Sequence, residues 1–107
     1  MKADAVRVLR QIERAWPSAM TIADLARACD LSRRDTEAAV QHCRLAGHPI
    51  VDAGREGLAW TNDPEELAAY VDSRRRRMAS IYLGSRALRK TVRRMREATD
   101  LTLFGAA

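Results

Sequence analysis

The sequence predicts a mainly α-helical domain that carries one small β-hairpin and is followed by a single long helix. Over residues 3–46, apolar residues recur at steps of three and four, which is the period of helices packed on a core. Over residues 50–61 the pattern changes to two short extended runs around the Gly-flanked turn "GREG", which is typical of a hairpin. Over residues 64–96 only one glycine interrupts a helical pattern.

We expect three parts: a compact domain over residues 1–62, a long basic helix over 63–97 and a flexible tail over 98–107. The chain has 107 residues, enough for one domain with a modest core, and its 47% hydrophobic content argues against disorder throughout. It has neither a membrane-spanning apolar run nor a secretion signal, so we expect a cytoplasmic protein.

The compact part is expected to begin with three helices. The first covers residues 3–16, Thr21 caps the second, and Ser32 caps the third, which runs over about 33–46 and stops at Gly47. The spacing assigns these side chains to the core: Val6, Leu9, Ile12 or Glu13, and Trp16 of the first helix; Ile22, Leu25, Ala26 and Cys29 of the second; Thr36, Val40 and Cys43 of the third.

The positive charge is concentrated in one stretch. Residues 1–73 hold nine Lys/Arg and twelve Asp/Glu, a net charge of −3, whereas residues 74–96 hold ten Lys/Arg and no acid, a net charge of +10. Residues 97–107 add two acids, which gives the total of +5. Such a basic stretch predicts an acidic partner, with nucleic acid the first expectation.

The order helix, helix, turn, helix, hairpin is that of a winged helix-turn-helix. The stretch "TIADLARACDLSRRDTEAAVQHCRLAGHPI", with Ser32, Arg33 and Arg34 opening the third helix and Gly47 closing it, resembles the DNA-binding domains of the biotin operon repressor and deoR-like families. "GREGLAW" stands where those families place "G-K-G-Y". The long helix resembles the tail of small phage-type helix-turn-helix proteins. The resemblance implies that the third helix lies in the major groove and the hairpin contacts an adjacent groove or phosphate.

The residues left on the outward side are candidates for DNA contact. Arginine reads guanine edges, glutamine reads adenine and glutamate accepts from cytosine, while helix starts and the hairpin tip meet phosphates or the minor groove. The candidate DNA-binding residues are Thr21, Ser32, Arg33, Arg34, Glu37, Ala38, Gln41, Arg44 and Arg55. Because the domain is net negative and two acids lie on the third helix, a protein-interaction domain is the alternative.

The long helix carries a heptad seam in which Leu67, Val71, Arg74, Met78, Ile81, Ser85, Leu88, Val92 and Met95 follow at alternating steps of four and three. A second subunit would cover it, so the predicted dimer interface is Leu67, Val71, Met78, Ile81, Leu88, Val92 and Met95. The alternative is that the helix bends at Gly84 and folds back. The flanking basic residues favour an antiparallel pair, a larger bundle or cancellation by an anion. An anionic membrane surface is a further alternative for this basic amphipathic helix.

The segment "DLTLF" near the end resembles the peptide by which bacterial replication and repair proteins bind the sliding clamp, commonly written Q-L-[SD]-L-F. Leu101, Leu103 and Phe104 match the pattern, and Asp100 stands where Gln is usual. The alternative is that these apolar side chains pack on the protein itself.

No catalytic or metal-binding pattern is present in the sequence. Cys29 and Cys43 fall at inward helical positions and are expected to be reduced core residues, with a disulfide the alternative. We expect no enzymatic activity, no cofactor and no metal. The sequence thus predicts a homodimeric double-stranded-DNA-binding regulator of transcription. The alternatives are a phage or bacterial replication or recombination accessory protein with a clamp-binding tail, and a protein-interaction adaptor.

Overall fold

A computed structural model describes residues 2–103 and confirms the predicted fold class, which is mainly helical with one antiparallel hairpin and a long C-terminal helix. The elements in chain order are α1 (Ala3–Ala15), α2 (Ile22–Cys29), α3 (Arg33–Leu45), β1 (Ile50–Asp52), a 3-10 turn (Gly54–Glu56), β2 (Leu58–Trp60) and α4 (Pro64–Leu103).

The two predicted helix caps are present. The backbone N–H of Asp24 donates to Thr21 Oγ1 at 3.1 Å, and the backbone N–H of Asp35 donates to Ser32 Oγ at 3.0 Å. Between these helices Asp30 adopts the left-handed conformation, with φ 53°, and ends α2. The tight turn that follows brings α3 back onto α2.

The core of the first unit lies between α1, α2, α3 and the hairpin. Its buried members are Ala5, Val8, Leu9, Ile12, Leu25, Cys29, Ala39, Val40, Cys43, Ile50 and Leu58. Two inward predictions for α1 are wrong, because Val6 is half-buried and Trp16 is 46% exposed. Trp16 follows the last residue of α1, so the helical period no longer fixes its direction.

The hairpin is held to the rest of the unit by the segment before α2. β1 and β2 are antiparallel, with Val51 opposite Ala59, and Met20 forms a β-bridge with Leu58. Both backbone hydrogen bonds of that bridge are short, with N···O distances of 2.8 and 2.7 Å. Gly57, at φ 103°, lies directly against the Met20 backbone. The hairpin is therefore docked on the helices rather than attached only through its ends.

We expect Gly57→Ala to lower the free energy of unfolding by at least about 3 kcal/mol, because a Cβ there meets the Met20 backbone and φ is positive. Gly54→Ala is the matched control, since its φ is also positive but the space around it is open. We expect that change to cost only about 1 kcal/mol. Urea unfolding of both variants measures the difference, and equal losses would contradict the assigned docking of the hairpin.

The chain divides into two units, Met1–Tyr70 and Val71–Ala107, later than the boundary expected at residue 62. The first turns of α4 belong to the first unit because they are tied to it by side chains. Thr61 Oγ1 donates to a Glu66 carboxylate oxygen at 3.0 Å. The Arg44 guanidinium lies over the Tyr70 ring, 5.5 Å from its centroid.

α4 is one continuous helix of 40 residues, about 60 Å long at the usual rise. It passes through Gly84 without a break, so the alternative of two helices folding back at this glycine is wrong. It also continues beyond residue 97 to Leu103, so residues 98–103, expected in a flexible tail, are helical. No glycine or proline stands in this segment to end the helix.

Candidate nucleic-acid interface

The two sides of α3 separate as the sequence predicts. Thr36, Ala39, Val40 and Cys43 are buried. The other side presents the exposed candidates Arg33, Arg34, Glu37, Ala38 and Gln41. α3 therefore offers solvent a face that mixes two guanidinium groups, a carboxylate, a carboxamide and a methyl group.

The buried side of α3 is fixed by polar contacts as well as by packing. Thr36 Oγ1 donates to the backbone oxygen of Ser32 at 2.8 Å, and the Cys43 thiol donates to the backbone oxygen of Ala5 at 3.3 Å. Cys29 and Cys43 are both buried and free, as predicted. Burial raises the pKa of both thiols, which keeps them protonated and poorly nucleophilic.

The charges on the exposed side of α3 are partly balanced. Arg33 Nε lies 3.3 Å from Glu37 Oε1, and both side chains are more than half exposed. A surface pair of this kind is weak and its members exchange partners readily. The pair nevertheless offsets the repulsion that Glu37 would exert on a phosphate. Arg34 forms no ion pair within residues 2–103, so its charge is open to an external anion.

The hydroxyl groups that cap α2 and α3 can each donate a hydrogen bond to a further partner. Ser32 Oγ and Thr21 Oγ1 each accept a backbone N–H, which leaves the hydroxyl hydrogen available for donation. Ser32 is exposed, whereas Thr21 is half-buried. A phosphate bound at the start of α3 could therefore accept a hydrogen bond from the Ser32 hydroxyl and would lie beside the positive end of the helix dipole.

Arg55 lies at the tip of the hairpin, as predicted. It is the middle residue of the 3-10 turn Gly54–Glu56 and is exposed. The turn is fixed by the Gly54 N–H, which donates to Asp52 Oδ1 at 2.9 Å. Glu56 follows directly, so the tip carries one charge of each sign.

Arg44 does not belong to the exposed set. Its side chain is half-buried, its Nε–H donates to the backbone oxygen of Ile50 at 3.1 Å, and its guanidinium covers Tyr70. Arg44 therefore supports β1 and the start of α4, and its contact with DNA stays a prediction. The partial burial of Arg44 could have been predicted from the sequence, because Arg44 follows the inward residue Val40 by one helical turn and lies on the same side of α3.

The predicted seam on α4 is uncovered over most of its length. Met78, Ile81, Leu88, Val92 and Met95 are 44–66% exposed, and Val71 is 40% exposed. Leu67 differs, because it is half-buried and lines a cleft with hairpin residues of the first unit, which include Trp60. Leu67 therefore belongs to the first unit rather than to the exposed seam.

The basic side chains of α4 are exposed. They are Arg74, Arg75, Arg76, Arg77, Arg86, Arg89, Lys90, Arg93, Arg94 and Arg96. Arg77, Arg86, Arg89 and Lys90 have no Asp or Glu three or four residues away, so no carboxylate on a neighbouring turn of α4 can neutralise them. This part of α4 therefore carries a strong positive potential.

The predicted clamp-binding segment is helical where the structure describes it. Asp100, Leu101 and Leu103 lie in the last turn of α4, and Phe104 is outside the described residues. A peptide that pairs with the rim of a groove needs an extended backbone. The helical backbone at 100–103 does not provide that conformation.

The last observations concern metal sites, membrane-spanning helices and similar proteins. Within residues 2–103, no three His, Cys, Asp or Glu side chains converge as metal ligands, and no helix is both long and apolar enough to cross a bilayer. No family model matches the chain, and no curated protein or solved structure matches it significantly.

Proposed function

We propose that this protein binds double-stranded DNA as a homodimer and acts as a sequence-specific regulator, with α3 as the element that reads the bases. The observation that carries the proposal is the exposed side of α3. Its two arginines and its glutamine project from a short helix whose other side is locked into the core. A rigid helix with such a face fits the major groove.

The side chains on this face have complementary chemistry to base edges. Arg33 and Arg34 can donate bidentately to guanine, and Gln41 can pair with adenine. Glu37 can accept from cytosine once Arg33 turns to the DNA, since their mutual contact is weak. The Ser32 hydroxyl and the Arg55 guanidinium supply contacts that position the domain on phosphates.

The uncovered seam of α4 supports the homodimer. Each large apolar side chain that becomes fully buried contributes about 1.5–3 kcal/mol. Five such side chains, from Met78 to Met95, lie on one side of the helix and are exposed in the single chain. Two copies joined in this way would present two α3 helices to a two-fold-related DNA site.

The charge distribution favours a second candidate function, in which the protein holds DNA without reading its sequence. Residues 1–73 carry a net charge of −3, whereas residues 74–96 carry +10. Contacts between α4 and phosphates would be independent of sequence and strongly weakened by salt. In the regulator, the same charges would add non-specific attraction to the contacts of α3.

An NMR titration with a short mixed-sequence duplex separates the candidates. For the proposed regulator, we expect the backbone amide signals of Arg33, Arg34, Gln41 and Arg55 to shift. Shifts confined to residues 74–96 would support the sequence-independent candidate instead. An unchanged spectrum at low salt would contradict DNA binding and favour the protein-interaction alternative.

A further inference from the structure

We infer that the second copy pairs with α4 in a parallel, in-register coiled coil. This inference deepens the proposed homodimer and depends on it. It also differs from the expectation that the basic flanks favour an antiparallel pair. The argument starts from the uncovered seam, in which Met78, Ser85, Val92 and Thr99 take the a positions of the heptad and Ile81, Leu88 and Met95 take the d positions.

The two flanks of this seam have different charges. The e positions, which follow the d residues, hold Arg75, Tyr82, Arg89 and Arg96. The g positions, which precede the a residues, hold Arg77, Gly84 and Thr91. One flank is therefore strongly basic, and beyond Arg77 the other is small and uncharged.

This asymmetry determines which flank residues meet in each orientation. In a parallel in-register pair, each g residue faces the e residue of the following heptad on the other copy. The resulting neighbours are Arg77 with Tyr82, Gly84 with Arg89, and Thr91 with Arg96. No arginine faces an arginine across these flanks, and the Arg77–Tyr82 neighbours suit a cation–π contact. Before Met78, however, Arg74 takes a d position and would face its own copy.

An antiparallel pair places e residues against e residues and g residues against g residues. In every register that covers the seam from Met78 to Met95, at least one arginine then faces another: Arg75 against Arg89, Arg75 against Arg96, or Arg89 against itself. Like charges held side by side repel, so the charges do not favour an antiparallel pair over a parallel one that brings the two Arg74 side chains together. The uncharged seam residues therefore decide between the orientations.

The seam residues agree with a two-stranded parallel pair. Val92 at an a position beside Leu88 at a d position is the combination that favours two parallel strands. Ser85 would meet its own copy, where the two hydroxyls can hydrogen-bond to each other. Any shift of register would set this hydroxyl against an apolar side chain, so Ser85 favours the in-register pair.

The parallel arrangement has a consequence for DNA binding. It places the two copies of Val71, where each helix leaves its first unit, side by side. An antiparallel pair would separate these two points by about 40 Å, the length of residues 71–99 at the helical rise. Only the parallel pair holds both DNA-reading units at the same end of the coiled coil.

Cysteine cross-linking tests the orientation. We expect Thr99→Cys, at an a position far from the middle of the seam, to form a disulfide with its own copy under mild oxidation. Glu97→Cys is the matched control, because it is equally exposed but lies on the opposite side of the helix. We expect at least ten-fold more linked dimer from Thr99→Cys. The native cysteines are buried, and the raised pKa of their thiols limits their reaction.

An equimolar mixture of Met78→Cys and Met95→Cys chains gives the reciprocal result, because an antiparallel pair sets a residues against d residues. A mixed disulfide between them is expected only from an antiparallel pair. A dimer that forms no Thr99→Cys disulfide would overturn the parallel orientation while leaving the homodimer intact. A monomeric native protein in sedimentation equilibrium would overturn the homodimer itself, and the DNA titration remains a separate measurement.

Discussion

Replacement of Arg33 and Arg34 together by alanine is expected to abolish sequence-specific DNA binding without unfolding the protein. Both side chains are exposed at the start of α3, and their only described ion pair, between Arg33 and Glu37, is a weak surface contact. A bidentate contact to a base is worth about 1–3 kcal/mol, so loss of two predicts roughly a thirty-fold or greater loss of affinity for the specific site.

The matched control for this change is the double substitution of Arg10 and Arg14 by alanine. These residues are also exposed and lie on α1, so the variant loses the same charge from a different surface. Binding is measured by fluorescence anisotropy on the specific duplex, and folding by circular dichroism. Similar losses in the two variants would show that net charge, rather than the face of α3, determines binding.

Replacement of Leu88 and Val92 together by aspartate is expected to convert the dimer to a monomer. Both side chains lie in the uncovered seam of α4, and Val92 is 44% exposed in the single chain. Association would bury four carboxylates, two from each copy, which is costly because charges lose their water. Sedimentation equilibrium should then give the 12.0 kDa mass of one chain rather than twice that mass.

Leu83→Asp combined with Ala87→Asp is the control for the seam. These residues have the same spacing and are exposed on the same helix, but they lie outside the a and d positions. The control variant should remain dimeric. If the Leu88 and Val92 variant also remained dimeric, the interface would lie elsewhere on the protein. We also expect the monomeric variant to lose affinity for a two-fold site, because each half-site is then bound independently.

The helices of the first unit were predictable because their side chains repeat with the helical period and their caps are explicit. Thr21 and Ser32 begin helices where the sequence predicts them, and Thr36, Val40 and Cys43 face the core as expected. Trp16 differs from the prediction because it lies one residue past the end of α1, where the helical period no longer determines the direction of a side chain. The bridge between Met20 and Leu58 was not predicted, since a pairing of single residues distant in sequence leaves no local pattern.

The sequence predicts which residues of the candidate site are exposed on α3, but it does not predict the contacts of Arg44 that stabilise the surrounding elements. Exposure of Arg33, Arg34 and Gln41 follows directly from the inward set of α3. The role of Arg44 depends on the position of β1 and Tyr70, which only the folded chain provides. α4 continues past residue 97, where the predicted helix ends, because the mixture of apolar and polar residues near the end of the chain is compatible with either a tail or a helix.

Selection from a pool of random-sequence duplexes, at a low and a moderate salt concentration, tests sequence-specific reading by α3 most directly. The proposed regulator should enrich one motif at both salt concentrations, with two related half-sites about one helical turn apart. DNA retained at low salt without any enriched motif would contradict sequence-specific recognition and assign binding to the basic residues of α4.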